Sequence, residues 1–172
     1  KTKIILNGDI FGEREALAFV NDVNSFLIQA KKFNRIEVAG EGLKKVFPVH
    51  FEDLVPGIIK AVFATNGKSK ICYLLPKYPI TLISLAHLIQ KKDPNIIVDL
   101  KHSERIKEKD FEPEEGEYLL SDDYSYQTKI NDLNLEGKIE DSEAKTFDQK
   151  KMYGEKRSTV KKFLYPFFLL TF

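Results

Sequence analysis

The apolar positions change period along the chain, and each change marks an element. Ile4-Ile5-Leu6, entered from Lys3, is an unbroken apolar run and predicts a buried strand. The following Asn7-Gly8-Asp9-Ile10-Phe11-Gly12-Glu13 carries two glycines and reads as a loop. Ala16, Phe19, Val20, Val23, Phe26, Leu27 and Ala30 then recur at helical spacing, predicting one amphipathic helix from about Glu15 to Lys32. Arg35-Ile36-Glu37-Val38-Ala39 alternates as a strand and stops at Gly40-Glu41-Gly42, a pair of glycines suited to a tight turn at positive φ.

A second extended run crosses Lys44 and Lys45 and ends at Val49-His50-Phe51-Glu52-Asp53. The two carboxylates fall where a helix starts, so they are read as capping groups suited to the helix dipole, not as a catalytic acid pair. That helix carries Leu54, Val55, Ile58, Ile59, Val62 and Phe63 and is stopped by Asn66-Gly67. Lys70 to Leu75 predicts a strand, Pro76-Lys77-Tyr78-Pro79 a turn, and Thr81 the cap of a helix bearing Leu82, Leu85, Ala86, Leu88 and Ile89. Ile96 to Leu100 forms a further strand. Strands alternating with helices define an α/β chain.

The totals narrow the function classes. A chain of 172 residues suits one domain with an appendage, and 42% apolar residues suffice for a core. Charged residues make up 31% with a net charge of +1, which supplies no overall field for nucleic acid. One cysteine, Cys72, excludes an internal disulfide and a cysteine-based zinc site; its apolar surroundings predict a buried thiol. His50, His87 and His102 show no metal-ligand spacing, so no metal site is expected. No signal peptide is visible.

Gly40-Glu41-Gly42 is not a dinucleotide fingerprint, because no third glycine and no helix follow at the required offset. Lys44 and Lys45 read either as solvated lysines or as positive charge beside an anionic substrate. His50 reads either as a packed, hydrogen-bonded ring or as a base.

The order strand, glycine turn, strand, acidic helix start resembles the carboxy-terminal half of the extended short-chain dehydrogenase/reductase family, the NAD-dependent sugar epimerases and dehydratases. Asp9-Ile10-Phe11-Gly12 stands where that family has Asn-Val-Tyr-Gly, Val49 to Asp53 resembles its segment ending in two aspartates, and Gly116-Glu117 matches the Gly-Asp of its Arg-x-Gly-Asp motif. The resemblance covers about Lys3 to Leu135. It implies the C-terminal part of a Rossmann-like fold with a small substrate-binding subdomain, at residues 1–135.

The same resemblance implies substrate-binding roles for Asp9, Phe11, Gly12, Lys45 and His50, and a nucleotide-sugar substrate. It assigns no catalytic residue here. The family's glycine-rich turn and Tyr-x-x-x-Lys pair, which hold NAD(P) and move the proton, precede the region seen, so the cofactor of a parent protein would be bound mainly upstream. The sequence departs from the family at two phosphate-binding arginines, with Val46 in place of one and Glu114 near the other. Guanidinium grips phosphate bidentately and an isopropyl group cannot. A catalytically degenerate binding or scaffolding relative is the alternative.

Lys1 already enters a strand, and the last residues lie within an apolar run, so a piece of a longer protein is expected, with the sheet neighbours of the first strand upstream. Residues 136–162 are polar, charged and without periodicity and read as a linker. Residues 163–172 read in two ways: as the start of a transmembrane segment with a basic flank, or as a short element docked on the domain. The expected setting is cytoplasmic, with attachment to the inner face of the membrane under the first reading. A homodimer is a further expected partner.

Overall fold

The computed structural model describes residues 2–13, 19–63, 71–101, 111–113, 116–135 and 167–171. The predicted first strand is β1, Thr2–Asn7. It pairs in parallel with β6, Ile71–Leu74, which pairs in parallel with β9, Glu117–Tyr118. The other edge of β1 carries β10, Phe167–Thr171, running antiparallel from Thr2↔Thr171 to Leu6↔Phe167. The edge expected to await upstream neighbours is therefore occupied by the chain's own last strand. The resulting order is β10-β1-β6-β9.

The stretch read as a loop contains a strand. Asp9–Phe11, β2, pairs in parallel with β5, Pro48–His50. Its three residues carry no readable period, and its partner lies far along the chain. Gly8 permits the entry: a Cβ there would overlap the Phe47 carbonyl oxygen. The Gly8 and Asp9 amides donate to the Leu74 and Phe47 carbonyls, tying β2 to both neighbours.

Helix α1 spans Asp22–Phe33, later in starting than the periodicity suggests. Asn21 stops it from beginning earlier, since its side chain accepts from the Asn24 amide as an N-cap. Phe19 and Val20, counted in the apolar stripe, lie before the helix and are exposed. The helix ends where Asn34 takes a left-handed φ of 48°. Strand β3, Arg35–Ala39, pairs in parallel with β8, Ile97–Lys101.

Gly40 and Gly42 adopt φ of 62° and 68°, as the turn requires. Strand β4, Lys45–Val46, pairs antiparallel with β7, Ile80–Thr81. Thr81 caps α3, Leu82–Lys92, by accepting from the Ser84 amide. Helix α2 is Phe51–Phe63 and helix α4 is Tyr126–Asp132. Asn66, Gly67, His102, Glu114 and residues 136–162 lie outside the described residues.

Two cores result. Phe26, Leu27, Ile36, Val38, Leu85, Ile89 and Ile130 form one between α1, β3, α3 and α4. Ile5, Phe47, Val49, Leu54, Cys72 and Leu74 form the other on the four-stranded sheet. The β2–β5 ribbon is the seam between them. Its alternation sends Ile10 and its register partner Val49 to the sheet core, whereas Phe11 enters the helical core. Val46 and Phe47, adjacent in sequence, divide between the cores in the same way.

Candidate functional site

The seam gathers four of the five residues singled out from sequence. The register places Asp9 opposite Pro48 and Phe11 opposite His50, and Gly12 follows at the strand's end, buried. Both parallel strands thus end side by side at Phe11 and His50. Lys45 stands apart, exposed on β4 opposite Thr81.

Asp9 brackets one residue with two bonds. Its amide donates to the Phe47 carbonyl at 2.8 Å, and its Oδ2 accepts from the Phe47 amide at 2.9 Å. Burial pushes its carboxyl up to about 6, and the Phe47 N–H bond opposes that shift. Asp22 raises it further and Lys44 lowers it. The lysine that influences this carboxylate is therefore Lys44, whose Nζ lies 2.9 Å from Asp22 Oδ2.

Phe11 is fully buried and meets the His50 ring edge-on, with centroids 5.3 Å apart. It backs the imidazole instead of presenting an aromatic wall to solvent. His50 keeps a small exposed area, and its Nδ1 lies 3.6 Å from Glu52 Oε2 without a hydrogen bond. Burial holds the imidazole below its usual range, and Lys129 adds to this against Glu52, Asp53 and Glu13. A neutral imidazole offers one donor and one acceptor, which suits a hydroxyl.

Three residues of this surround were not singled out from sequence. Tyr124 accepts from the His50 amide at 2.9 Å and donates to the Pro48 carbonyl at 3.2 Å, pinning both ends of β5. Burial raises its phenol well above the usual value. Lys129, on α4, lies 3.7 Å from Glu52 and 3.5 Å from Asp53. Asp22, in the first turn of α1, holds Lys44. No local signal marks these residues, because each acts across a distance that only the fold closes.

Glu52 and Asp53 lie in the first turn of α2, one and two residues past its start, and not at the cap position. The dipole argument for them stands, but their carboxylates face Lys129 and the His50 ring.

Among solved structures, this fold is similar to a mutant of UDP-glucuronic acid 4-epimerase from Bacillus cereus, solved with UDP-4-deoxy-4-fluoro-glucuronic acid and NAD. The TM-score is 0.51 at 11% identity, over 74% of this chain and 42% of that one. The chain has a mixed α/β fold with parallel strands, and it resembles that of the extended short-chain dehydrogenase/reductase epimerases. UDP-N-acetylglucosamine 4-epimerase from Bacillus cereus is also similar, with a TM-score of 0.49 at 16% identity, over 74% of this chain and 43% of that one. The chain spans less than half the length of either epimerase. No family model matches the chain, and no curated protein matches it by sequence.

The Gly40–Gly42 turn does not fit a dinucleotide. It joins two strands, and a Cβ on Gly42 would lie 2.8 Å from Ile83 Cβ and 2.9 Å from Val38 Cγ1. Protein fills the space that a pyrophosphate would need. Among the described residues, no group of histidine, cysteine and carboxylate side chains is placed to hold a metal.

Proposed function

We propose that this chain supplies the substrate-binding part of an NAD-dependent epimerase or dehydratase acting on a nucleotide sugar. The observation that carries the reading is the β2–β5 register, which brings the ends of two parallel strands together at Phe11 and His50 in a fold shared with such enzymes. Ligands of open α/β sheets sit beyond the carboxyl ends of the strands. Residues 1–135 form the substrate-binding part and residues 136–162 a linker. His50, neutral and backed by Phe11, holds a sugar hydroxyl; Asp9 and Gly12 shape the wall, and Lys45 reaches a phosphate as a point charge. NAD(P) and the proton-transferring groups belong to other parts of a parent protein, and the chain's own contribution is to orient the sugar.

The pairing of β10 with β1 supports the reading of the last residues as an element docked on the domain. Among the described residues, no helix is long and apolar enough to cross a membrane.

Calorimetry with UDP-, GDP- and dTDP-sugars, with and without NAD, tests the proposal. One sugar class should bind, and His50→Ala should weaken it roughly tenfold, the worth of one hydrogen bond. Flat traces for all three classes would reject it.

A second reading, a binding or scaffolding relative without the chemistry, rests on Val46. This residue is 2% exposed within the helical core, so its position presents no group to a diphosphate. Flat traces would favour this reading.

A further inference from the structure

Helix α4 has seven residues, and a helix that short is marginal by itself. It is gripped at both ends. At its start, Ser125 caps it by accepting from the Thr128 amide, and Tyr124, one residue earlier, is bonded to both ends of β5. At its close, Lys92 Nζ, from the last turn of α3, donates to the Asn131 carbonyl at 2.5 Å and to the Leu133 carbonyl. Just beyond, Glu13 Oε1 accepts from the Asn134 amide at 2.5 Å. One ammonium thus ties two carbonyls at the closing turn of α4, where a cation also suits the helix dipole.

That closing turn carries Lys129, whose Nζ lies 3.5 Å from Asp53 and 3.7 Å from Glu52. The His50 ring is faced by Lys129 from α4, by Glu52 and Asp53 from α2, and by Glu13 from the stretch after β2. Phe11 backs it from β2. The carboxylates favour a proton on the ring and the ammonium opposes it, so the position of Lys129 decides the balance. Without the Lys92 bonds, the last turn of α4 frays and Lys129 leaves the Glu52–Asp53 pair.

We propose that Lys92 is a positioning residue for His50: by closing the last turn of α4 it holds Lys129 beside Glu52 and Asp53, and so sets the field that the imidazole meets. The coupling concerns the ring itself and holds with or without a sugar bound. Only its use, keeping the ring neutral for a hydroxyl, rests on the substrate reading.

Proton–carbon NMR titration of the His50 ring in the 172-residue chain tests it. Lys92→Met keeps the apolar stem and removes the donors. It should raise the midpoint by roughly half or more of the rise that Lys129→Ala produces. Lys92→Arg, whose fork spans two carbonyls, should restore the wild-type midpoint. Adding Lys92→Met to Lys129→Ala should move the midpoint no further, because the effect runs through Lys129; a direct field from Lys92 would add in full. If circular dichroism shows that Lys92→Met does not fold, Lys92→Gln, which keeps a donor, should still raise the midpoint by a smaller amount. A wild-type midpoint in a folded Lys92→Met or Lys92→Gln variant overturns the proposal. So do additive shifts in the double variant, or an arginine variant that titrates like the methionine one.

Discussion

The Tyr124 hydroxyl lies 2.9 Å from the His50 amide nitrogen and 3.2 Å from the Pro48 carbonyl oxygen, so one side chain terminates strand β5 at both ends. Removing that oxygen leaves the His50 N–H and the Pro48 carbonyl without this partner. Tyr124→Phe should therefore cost about 1–3 kcal/mol, the usual penalty for stranding a largely buried polar group. Urea denaturation of the variant measures it. A midpoint equal to that of the wild type would show that the hydroxyl does not hold the strand.

Asp9 gives a pH dependence of definite sign. Its folded carboxyl titrates near 6 against an unfolded value of 3.8, so between those limits the folded state holds the extra proton. Stability contributed by this group is full below the unfolded value, falls as pH rises through the window and levels off above about 6. Asp9→Asn keeps an acceptor for the Phe47 amide and removes the buried charge. It should stabilise the chain at neutral pH by roughly 1–2 kcal/mol and flatten the slope across that window. Unfolding midpoints of both proteins at mildly acid and neutral pH test this, and parallel slopes would exclude Asp9 as the source.

Long, periodic elements were legible because burial and period coincide in them. Phe26, Leu27 and Ala30 mark α1, and Thr81 marks the start of α3 by a bond that its residue type predicts. The start of α1 was not legible, since Phe19 continues the helical spacing while packing on Phe51 instead. Strand β2 was hidden for a different reason: three residues between glycines have no measurable period, and their partner is distant in sequence. At the site, Asp9 and His50 stood out through family resemblance, yet their bonds to Phe47 and Tyr124 follow from register. Phe11 shows the limit of residue type as a guide, because alternation along β2 carries a residue expected at the substrate into the core.

Gly8 tests the seam directly. A Cβ at this position would overlap a backbone atom, the Phe47 carbonyl oxygen, which no rotamer change can move. That carbonyl also accepts from the Asp9 amide, so relief of the overlap pulls β2 away from β5. Gly8→Ala should destabilise by ~2 kcal/mol or more, with faster hydrogen exchange at the Asp9 and Phe47 amides. Unchanged exchange at both amides would contradict the close approach.

His50 is held below the ordinary value of 6.5 first by burial and then by Lys129, while Glu52, Asp53 and Glu13 pull the other way. The two influences from opposite charges can be separated, because Lys129 and Glu52 approach the ring from different helices. Lys129→Ala should move the His50 titration upward toward 6.5, and Glu52→Gln should move it further down. Glu52→Gln should cost no more than about 1 kcal/mol through lost ion pairing, since the Glu52 side chain is largely exposed. The sign for stability follows from the depressed value. On acidification the unfolded chain takes up the proton first, so the contribution of His50 is present above 6.5 and is lost as pH falls below it. Proton–carbon NMR titration of the His50 ring in the wild type and both variants reads the three midpoints. If both variants shift it the same way, or neither shifts it, the α2 and α4 charges do not face this ring as the structure places them.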